Sequence, residues 1–336
     1  MYVKRGVRNK KYSSLLIFCI VKERIFGMNR ELEGLIENIE KIIVGKRDSI
    51  TMVIAAMLSE GHILIEDVPG VGKTRLVSAL ANSVDGHFNR IQLTPDIMPS
   101  DIVGFSMIDP VTKQMKYQQG AAMCNFLLAD EINRASPKAQ SSLLEIMEEH
   151  QISLDGKTMP LPSPFMVLAT QNPVETYGTY HLPEAQMDRF MMKISMGYPS
   201  PEEELDIINR SETNSFTKKL DPVMTLDDIK EHIKNVKKIE CNESIKKYIV
   251  ELLNATRNSE LIKLGASPRA GIALLKVAKA VAYINGREYV VPDDIRYIMP
   301  SVISHRLMLS AKGKAAYDNS ENIANEVAKT VSVPVR

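Results

Sequence analysis

Between residues 28 and about 198, short apolar runs of strand character alternate with segments of helical periodicity, and this alternation restricts the chain to few architectures. "HILIED" precedes "KTRLVSALANSV", "NFLLADEI" precedes "PKAQSSLLEIMEE", and "FNRIQL", "PFMVLATQ" and "FMMKISMGY" supply further strands. Strands interleaved with helices build an α/β fold: a three-layer sheet with a parallel core and helices on both faces. One stretch departs from that rhythm. In "QISLDGKTMPL" the pair Asp155-Gly156 stands between alternating residues and reads as the turn of a β-hairpin.

After "YPSPEEE" helical periodicity takes over, in "EEELDIINRSE", "TLDDIKEHIKNV", "ESIKKYIVELLNATRN", "SPRAGIALLKVAKAVAYING" and "VPDDIRYIMPSVISHRL". The chain therefore divides into an α/β core at 28–198 and a helical domain at 199–336. Ser267-Pro268 and Pro292-Asp293-Asp294 mark two helix starts. Residues 1–27 open with a basic head and a short apolar run, Leu15 to Val21, but no small-residue cleavage site follows and charges resume at once in "KERIF". They read as an extension that is disordered, weakly helical or upstream of the true start, because Met28 opens the amphipathic segment "MNRELEGLIENIEKII". No stretch approaches the roughly 20 apolar residues of a membrane helix.

The charge balance, 42 Lys+Arg against 41 Asp+Glu, provides no general basic field for nucleic acid or an anionic membrane. Cys19, Cys124 and Cys241 form no C-x-x-C pair and fit neither a disulfide framework nor a zinc site, so a cytoplasmic location is expected.

The chemistry concentrates at strand ends. "EDVPGVGKT" follows the first strand and matches the phosphate-loop pattern G-x-x-x-x-G-K-[ST] except at its first glycine, where this chain has Asp67. A phosphate loop works because glycines free successive N–H groups to face phosphate while a helix N-terminus adds its positive end. The stretch Pro69, Gly70, Val71, Gly72, Lys73, Thr74 and Arg75 is the expected nucleotide cradle. Lys73 is expected to reach the β- and γ-phosphates, and the Thr74 hydroxyl to ligate Mg²⁺. Asp67 falls at the strand exit, before the turn that faces phosphate, and is compatible with that role if its backbone angles are ordinary.

"NFLLADE" is a second buried strand ending in Asp130 and Glu131, where an aspartate can hold the Mg²⁺ shell and a neighbouring glutamate can polarise the attacking water. "VLATQNP" ends in Thr170, Gln171 and Asn172, and Asn172 arrives near the water and γ-phosphate if this strand adjoins the last. Arg189 in "MDRF" and Arg269 in "SPRAG" are candidates for the positive charge that phosphoryl transfer requires, supplied from another subunit or domain. A guanine-specific N/T-K-x-D string is missing. A nucleic-acid translocase built on the same engine finds no basic, aromatic-interleaved stripe to support it.

The strings "IIVGKRDSI", "EDVPGVGKT", "RIQLTPDIMPSDIVG", "LLADEINRASPKAQSSLLEIMEE", "ATQNPVETYGTYHLPEAQMDRF" and "GASPRAGIALLKVAKA" occur in the order found in MoxR-type AAA+ ATPases, which the chain resembles from about residue 28 to 310. The resemblance implies a P-loop sheet of strand order 5-1-4-3-2, a helical lid, and a helix-2 insert near "TPDIMPSDIVG". It also implies roles: Lys73 and Thr74 as Walker A, Asp130 and Glu131 as Walker B, and Asn172 as sensor 1. Arg189 resembles an arginine finger acting across a subunit interface, Arg269 a sensor 2 acting within its own subunit, and Val44 and Gly45 the lining of an adenine pocket. Family members vary between Gly and Asp at the position of Asp67. The implied activity is Mg²⁺-dependent ATP hydrolysis in a homo-oligomeric ring, most simply a hexamer, that remodels or matures a partner, often one with a von Willebrand factor A domain. The alternative is the ATPase subunit of a metal-chelatase-like complex, which shares the insert. The insert and the hairpin at 151–159 are the expected client-facing surfaces.

Overall fold

The computed structural model describes residues 29–172, 180, 182–212, 220–317 and 319–334. The N-terminal extension read at 1–27 lies outside them. The described residues open with helix α1 (Arg30–Glu40), whose N-cap Asn29 side chain accepts from the Glu31 and Leu32 N–H groups and whose stripe Leu32, Leu35, Ile36 and Ile39 is buried. Helix α2 (Arg47–Leu58) follows and is buried at Ile50 and throughout Met52 to Leu58, which gives it little amphipathic signature. The core then runs through β1 (Ile63–Glu66), α3 (Lys73–Ser83), β2 (Phe88–Gln92), α4 (Pro99–Val103), β3 (Gly104–Ile108), β4 (Met115–Gln119) and β5 (Phe126–Asp130). It continues with α5 (Pro137–Glu149), β6 (Gln151–Leu154), β7 (Lys157–Pro160), β8 (Met166–Gln171), α6 (Glu184–Met187) and β9 (Met192–Ile194).

Five of these strands form one parallel sheet in the order β2-β5-β8-β1-β9. Numbered within the sheet alone, this is the 5-1-4-3-2 order that the family resemblance implies. The inner strands are apolar along their length because both faces are covered, as parallel sheets require. Side chains alternate between two buried clusters. Ile63 and Ile65 of β1 with Phe126 and Leu128 of β5 face one side, and Leu64, Leu127 and Ala129 face the other. The register pairs Gln92 with Asp130, Ile65 with Thr170 and Glu66 with Gln171, so the carboxyl ends of β1, β2, β5 and β8 finish level with one another. A doubly wound sheet offers its ligand crevice at that edge.

Beyond β9 the chain is mainly helical: α7 (Pro201–Glu212), α8 (Leu226–Lys238), α9 (Glu243–Asn258), β10 (Ile262–Leu264), α10 (Pro268–Ile284), α11 (Pro292–Ile303), β11 (Met308–Leu309), α12 (Ala311–Ala316) and α13 (Ser320–Thr330). Both expected start signals operate. The Ser267 side chain accepts from the Ala270 N–H with Pro268 opening α10, and Asp294 accepts from the Val291 N–H at 2.9 Å. The hydrophobic core does not break at residue 199, since Leu274, Val277 and Val281 of α10 bury in the same cluster as Ile50 and Ile54 of α2.

The hairpin read around Asp155-Gly156 is present as β6 and β7, with both turn residues at positive φ (51° and 74°) as a two-residue turn demands. A second hairpin, β3–β4, had no counterpart in the sequence reading, which recognised only the preceding "TPDIMPSDIVG". It carries exposed apolar side chains at Phe105, Ile108, Val111 and Met115.

Candidate active site

Gly70 and Gly72 take φ of 90° and 94°, a region that a side chain rarely enters, and Gly72 is the residue from which α3 starts at Lys73. The loop thus delivers the N-terminus of an eleven-residue helix, with its positive dipole end, to the carboxyl edge of the sheet. Lys73 Nζ donates to the backbone carbonyl of Asp67 at 2.8 Å. Partial burial lowers the Lys73 pKa, and Asp67, Asp130 and Glu131 oppose that effect.

Asp67 is absent from the positive-φ residues, so its backbone is of the ordinary kind the sequence reading required. Its carboxylate is buried and accepts from Ser195 Oγ at 2.8 Å, Met196 N at 2.5 Å and Gly197 N at 3.1 Å. It therefore ties the exit of β1 to the exit of β9, a structural task that glycine cannot perform.

At the end of β5 the polar residues form one connected network. Thr170 Oγ1 donates to Asp130 Oδ1 at 3.0 Å and accepts from the Glu131 N–H at 2.9 Å. Arg90 Nε donates to Asp130 Oδ2 at 2.7 Å. Glu131 stands in the left-handed region (φ 58°, ψ 52°), a conformation costly for a residue with a side chain and concentrated at functional sites. Its Oε2 accepts from Gln92 Nε2 at 2.7 Å and from Arg134 Nη1 at 3.1 Å. Asn172 follows β8 and is buried beside them.

These groups surround a single cleft of about 440 Å³. Of the residues expected there, Pro69, Gly70, Gly72, Lys73, Thr74, Arg75, Asp130, Glu131 and Asn172 line it; Arg90, Gln92 and Thr170 line it too and were not among the site residues read from sequence. For Arg90 and Gln92 the only sequence signal was the period-2 polarity at the end of "FNRIQ", ordinarily that of a solvated edge strand, and Thr170 was visible only as one of the polar residues that end "VLATQNP". Val44, Gly45 and Val71 lie outside the lining. Val71 packs against the core, and the segment of Val44 runs close by, with the Ile43 side chain 3.9 Å from where a Cβ on Gly72 would stand.

The oxygen donors suit Mg²⁺. The described residues contain no cluster of three His, Cys, Asp or Glu side chains that would cage a metal. Mg²⁺ keeps several waters and takes much of its shell from substrate phosphates, so the Thr74 hydroxyl and the Asp130 carboxylate on one cleft are a sufficient protein contribution.

Arg189 and Arg269 do not line this cleft. Their guanidinium groups meet elsewhere, on one carboxylate: Arg189 Nη2 is 3.1 Å from Glu148 Oε2 and Arg269 Nη2 is 3.2 Å from Glu148 Oε1. The resemblance implies that one arginine works across subunits and the other within its own; in this chain the two stand side by side, outside the lining of the cleft.

Residues 62–192 match the model of the ATPase family associated with various cellular activities (AAA), and residues 254–335 match the AAA lid domain. A Bacillus subtilis protein of uncharacterised function, YeaC, is 48% identical over 90% of this chain and 94% of its own. The chaperone MoxR1 of Mycobacterium tuberculosis is 41% identical over 90% of this chain and 82% of its own. The crystal structure of a Cytophaga hutchinsonii protein assigned as an ATPase superposes with a TM-score of 0.85 at 37% identity, covering 96% of this chain and all (100%) of that one.

Proposed function

The chain belongs to the MoxR family of AAA ATPases, and we propose that it binds MgATP in the cleft at the carboxyl edge of the sheet, hydrolyses it to ADP and phosphate within a ring of identical subunits, and uses the cycle to remodel a partner protein. The observation that carries this reading is the network joining Asp130, Thr170, Glu131 and Gln92 around a cleft floored by Gly70, Gly72, Lys73 and Thr74.

Each residue then has a defined task. The N–H groups of the loop and the first turn of α3 bind the phosphates, and Lys73 exchanges the Asp67 carbonyl for a β- or γ-phosphate oxygen. Thr74 and Asp130 would hold Mg²⁺, which when bound would supply charge neutralisation on the phosphate oxygens. Glu131, fixed by its backbone bond to Thr170 and by Gln92, accepts the proton of the attacking water. Asn172 orients that water and the γ-phosphate. Arg189 and Arg269 lie outside their own cleft and are one-third to one-half exposed, which favours their use by an adjoining subunit.

The remodelling role rests on the chaperone designation of the Mycobacterium relative and on the exposed apolar tip of the β3–β4 hairpin, a surface suited to gripping a protein client. A von Willebrand factor A domain is the partner class that the family resemblance favours. Mass in solution and ATP turnover, followed together across protein concentration, test the ring. Turnover per subunit should rise as the assembly forms, and Arg189→Ala should assemble with turnover lost. Full turnover by the monomer, or by assembled Arg189→Ala, contradicts it.

A further inference from the structure

Asp188 directly precedes Arg189, and both of its carboxylate oxygens are held by the helical domain. Oδ1 accepts from Arg306 Nε at 2.5 Å, and Oδ2 accepts from Ser267 Oγ at 3.0 Å. The Arg306 side chain is only 3% exposed, and its remaining donors go to backbone carbonyls: Asp188 at 3.2 Å, Phe190 at 2.7 Å, Met191 at 3.1 Å, and Val302 of α11. A planar guanidinium with its donors spread over three neighbouring residues of one segment fixes that segment's path as well as its position. Ser267, the other partner, is the N-cap of α10, the helix whose first turn carries Arg269.

One carboxylate therefore holds both the residue before Arg189 and the start of the helix bearing Arg269, while Glu148 bridges the two guanidinium groups at their far ends. These two fastenings differ in strength. The Glu148 pairs are partly exposed and readily exchanged for a stronger anion, whereas the Arg306–Asp188 pair is buried, and separating it would strand a desolvated charge. The helical domain also reaches the exit of β1, where Lys193 stands 2.6 Å from Glu66 and 4.0 Å from Glu321 of α13.

We propose that Asp188 is a positioning residue through which the lid of one subunit sets the direction of Arg189, so that the lid, Arg189 and Arg269 act as one body toward the triphosphate of the adjoining subunit. This rests on the ring reading given above. Asp188 touches no nucleotide; it acts only through the arginines it fixes. Lid position in one subunit thereby controls hydrolysis in the next, while the lid's hold on its own cleft is left to other contacts.

Mixed rings test this directionally. Subunits carrying Lys73→Ala bind no nucleotide but donate Arg189; subunits carrying Arg189→Ala bind ATP but need a donor. Mixed together they should recover turnover that neither has alone. Asp188→Asn added to the donor should lower that recovered turnover about tenfold, the scale expected for a misaimed charge, whereas the same change in the acceptor should leave it within about twofold. Ser267→Ala, which removes one hydroxyl and leaves the buried ion pair intact, should give a smaller loss with the same donor-only pattern, and serves if Asp188→Asn fails to assemble. Equal losses in both placements, or none in the donor, overturn the proposal while leaving the ring reading in force. A mixture that recovers no turnover overturns the ring reading and this proposal with it.

Discussion

The backbone N–H of Met196 donates to the Asp67 carboxylate at 2.5 Å, and this bond, with those from Ser195 and Gly197, joins the exit of β1, which leads into the phosphate loop, to the exit of its neighbour β9. The departure from the phosphate-loop pattern is therefore a built-in fastening. Restoring the pattern with Asp67→Gly strands two backbone N–H groups and adds chain entropy. It should lower unfolding stability by about 2–3 kcal/mol, measured by urea titration. Equal or greater stability of Asp67→Gly would show that the carboxylate is dispensable.

Thr170 is the hinge of the catalytic network, giving its proton to Asp130 and accepting from the Glu131 N–H. Thr170→Val keeps the volume and deletes both bonds. Glu131, already in a left-handed conformation, should then lose its alignment. The expected outcome is a fall in kcat of about tenfold or more with KM for ATP changed much less, since binding is assigned to the loop. Unchanged kcat would remove Thr170 from the mechanism.

His62 is a buried residue whose Nδ1 accepts from the Val167 N–H at 3.0 Å and whose Nε2 lies 2.8 Å from the Met147 carbonyl, an arrangement that fits one neutral tautomer. Burial, with a smaller contribution from neighbouring His150, pushes its pKa down to about 4. The unfolded chain, with a histidine pKa of about 6.5, binds the proton more readily. This contribution is thus full above about pH 6.5 and is lost as pH falls toward 4, by about 3 kcal/mol in all. His305, lowered by burial and by Arg306, acts in the same direction. His62→Ala should be less stable at neutral pH yet show a shallower loss between pH 6.5 and 4; an unaltered slope would refute the assignment.

The β3–β4 hairpin carries Val111 at 87% exposure and Met115 at 64%. Side chains so open contribute little to folding, so Val111→Ser and Met115→Ser should change unfolding free energy by no more than about 0.5 kcal/mol. Chemical denaturation checks this, and a loss well above about 1 kcal/mol would mean that the hairpin tip packs against the protein itself.

The sheet was legible because its inner strands are short, apolar and separated by helices with clean periodicity, and the phosphate loop, Asp130, Glu131 and Asn172 stand where those strands end. Helix α2 was harder to read, since burial on nearly every side erases the amphipathic pattern. The β3–β4 hairpin was hidden for the opposite reason: its exposed apolar residues follow no core-facing alternation. Arg90, Gln92 and Thr170 gain meaning only through the strand register, which sets Gln92 opposite Asp130. The meeting of Arg189 with Arg269 depends on how the lid docks, through Asp188 and Arg306, and no local pattern encodes it.

Glu131→Gln tests the central claim most directly, with equilibrium ATP binding and steady-state turnover measured on the same preparation in Mg²⁺. The amide retains the shape and the Gln92 neighbour but is too weak a base to take a proton from water. ATP affinity should stay within about threefold of the parent while turnover falls by about 100-fold or more. Turnover that survives the substitution would contradict the assignment of Glu131 as the base and, with it, the mechanism built on this cleft.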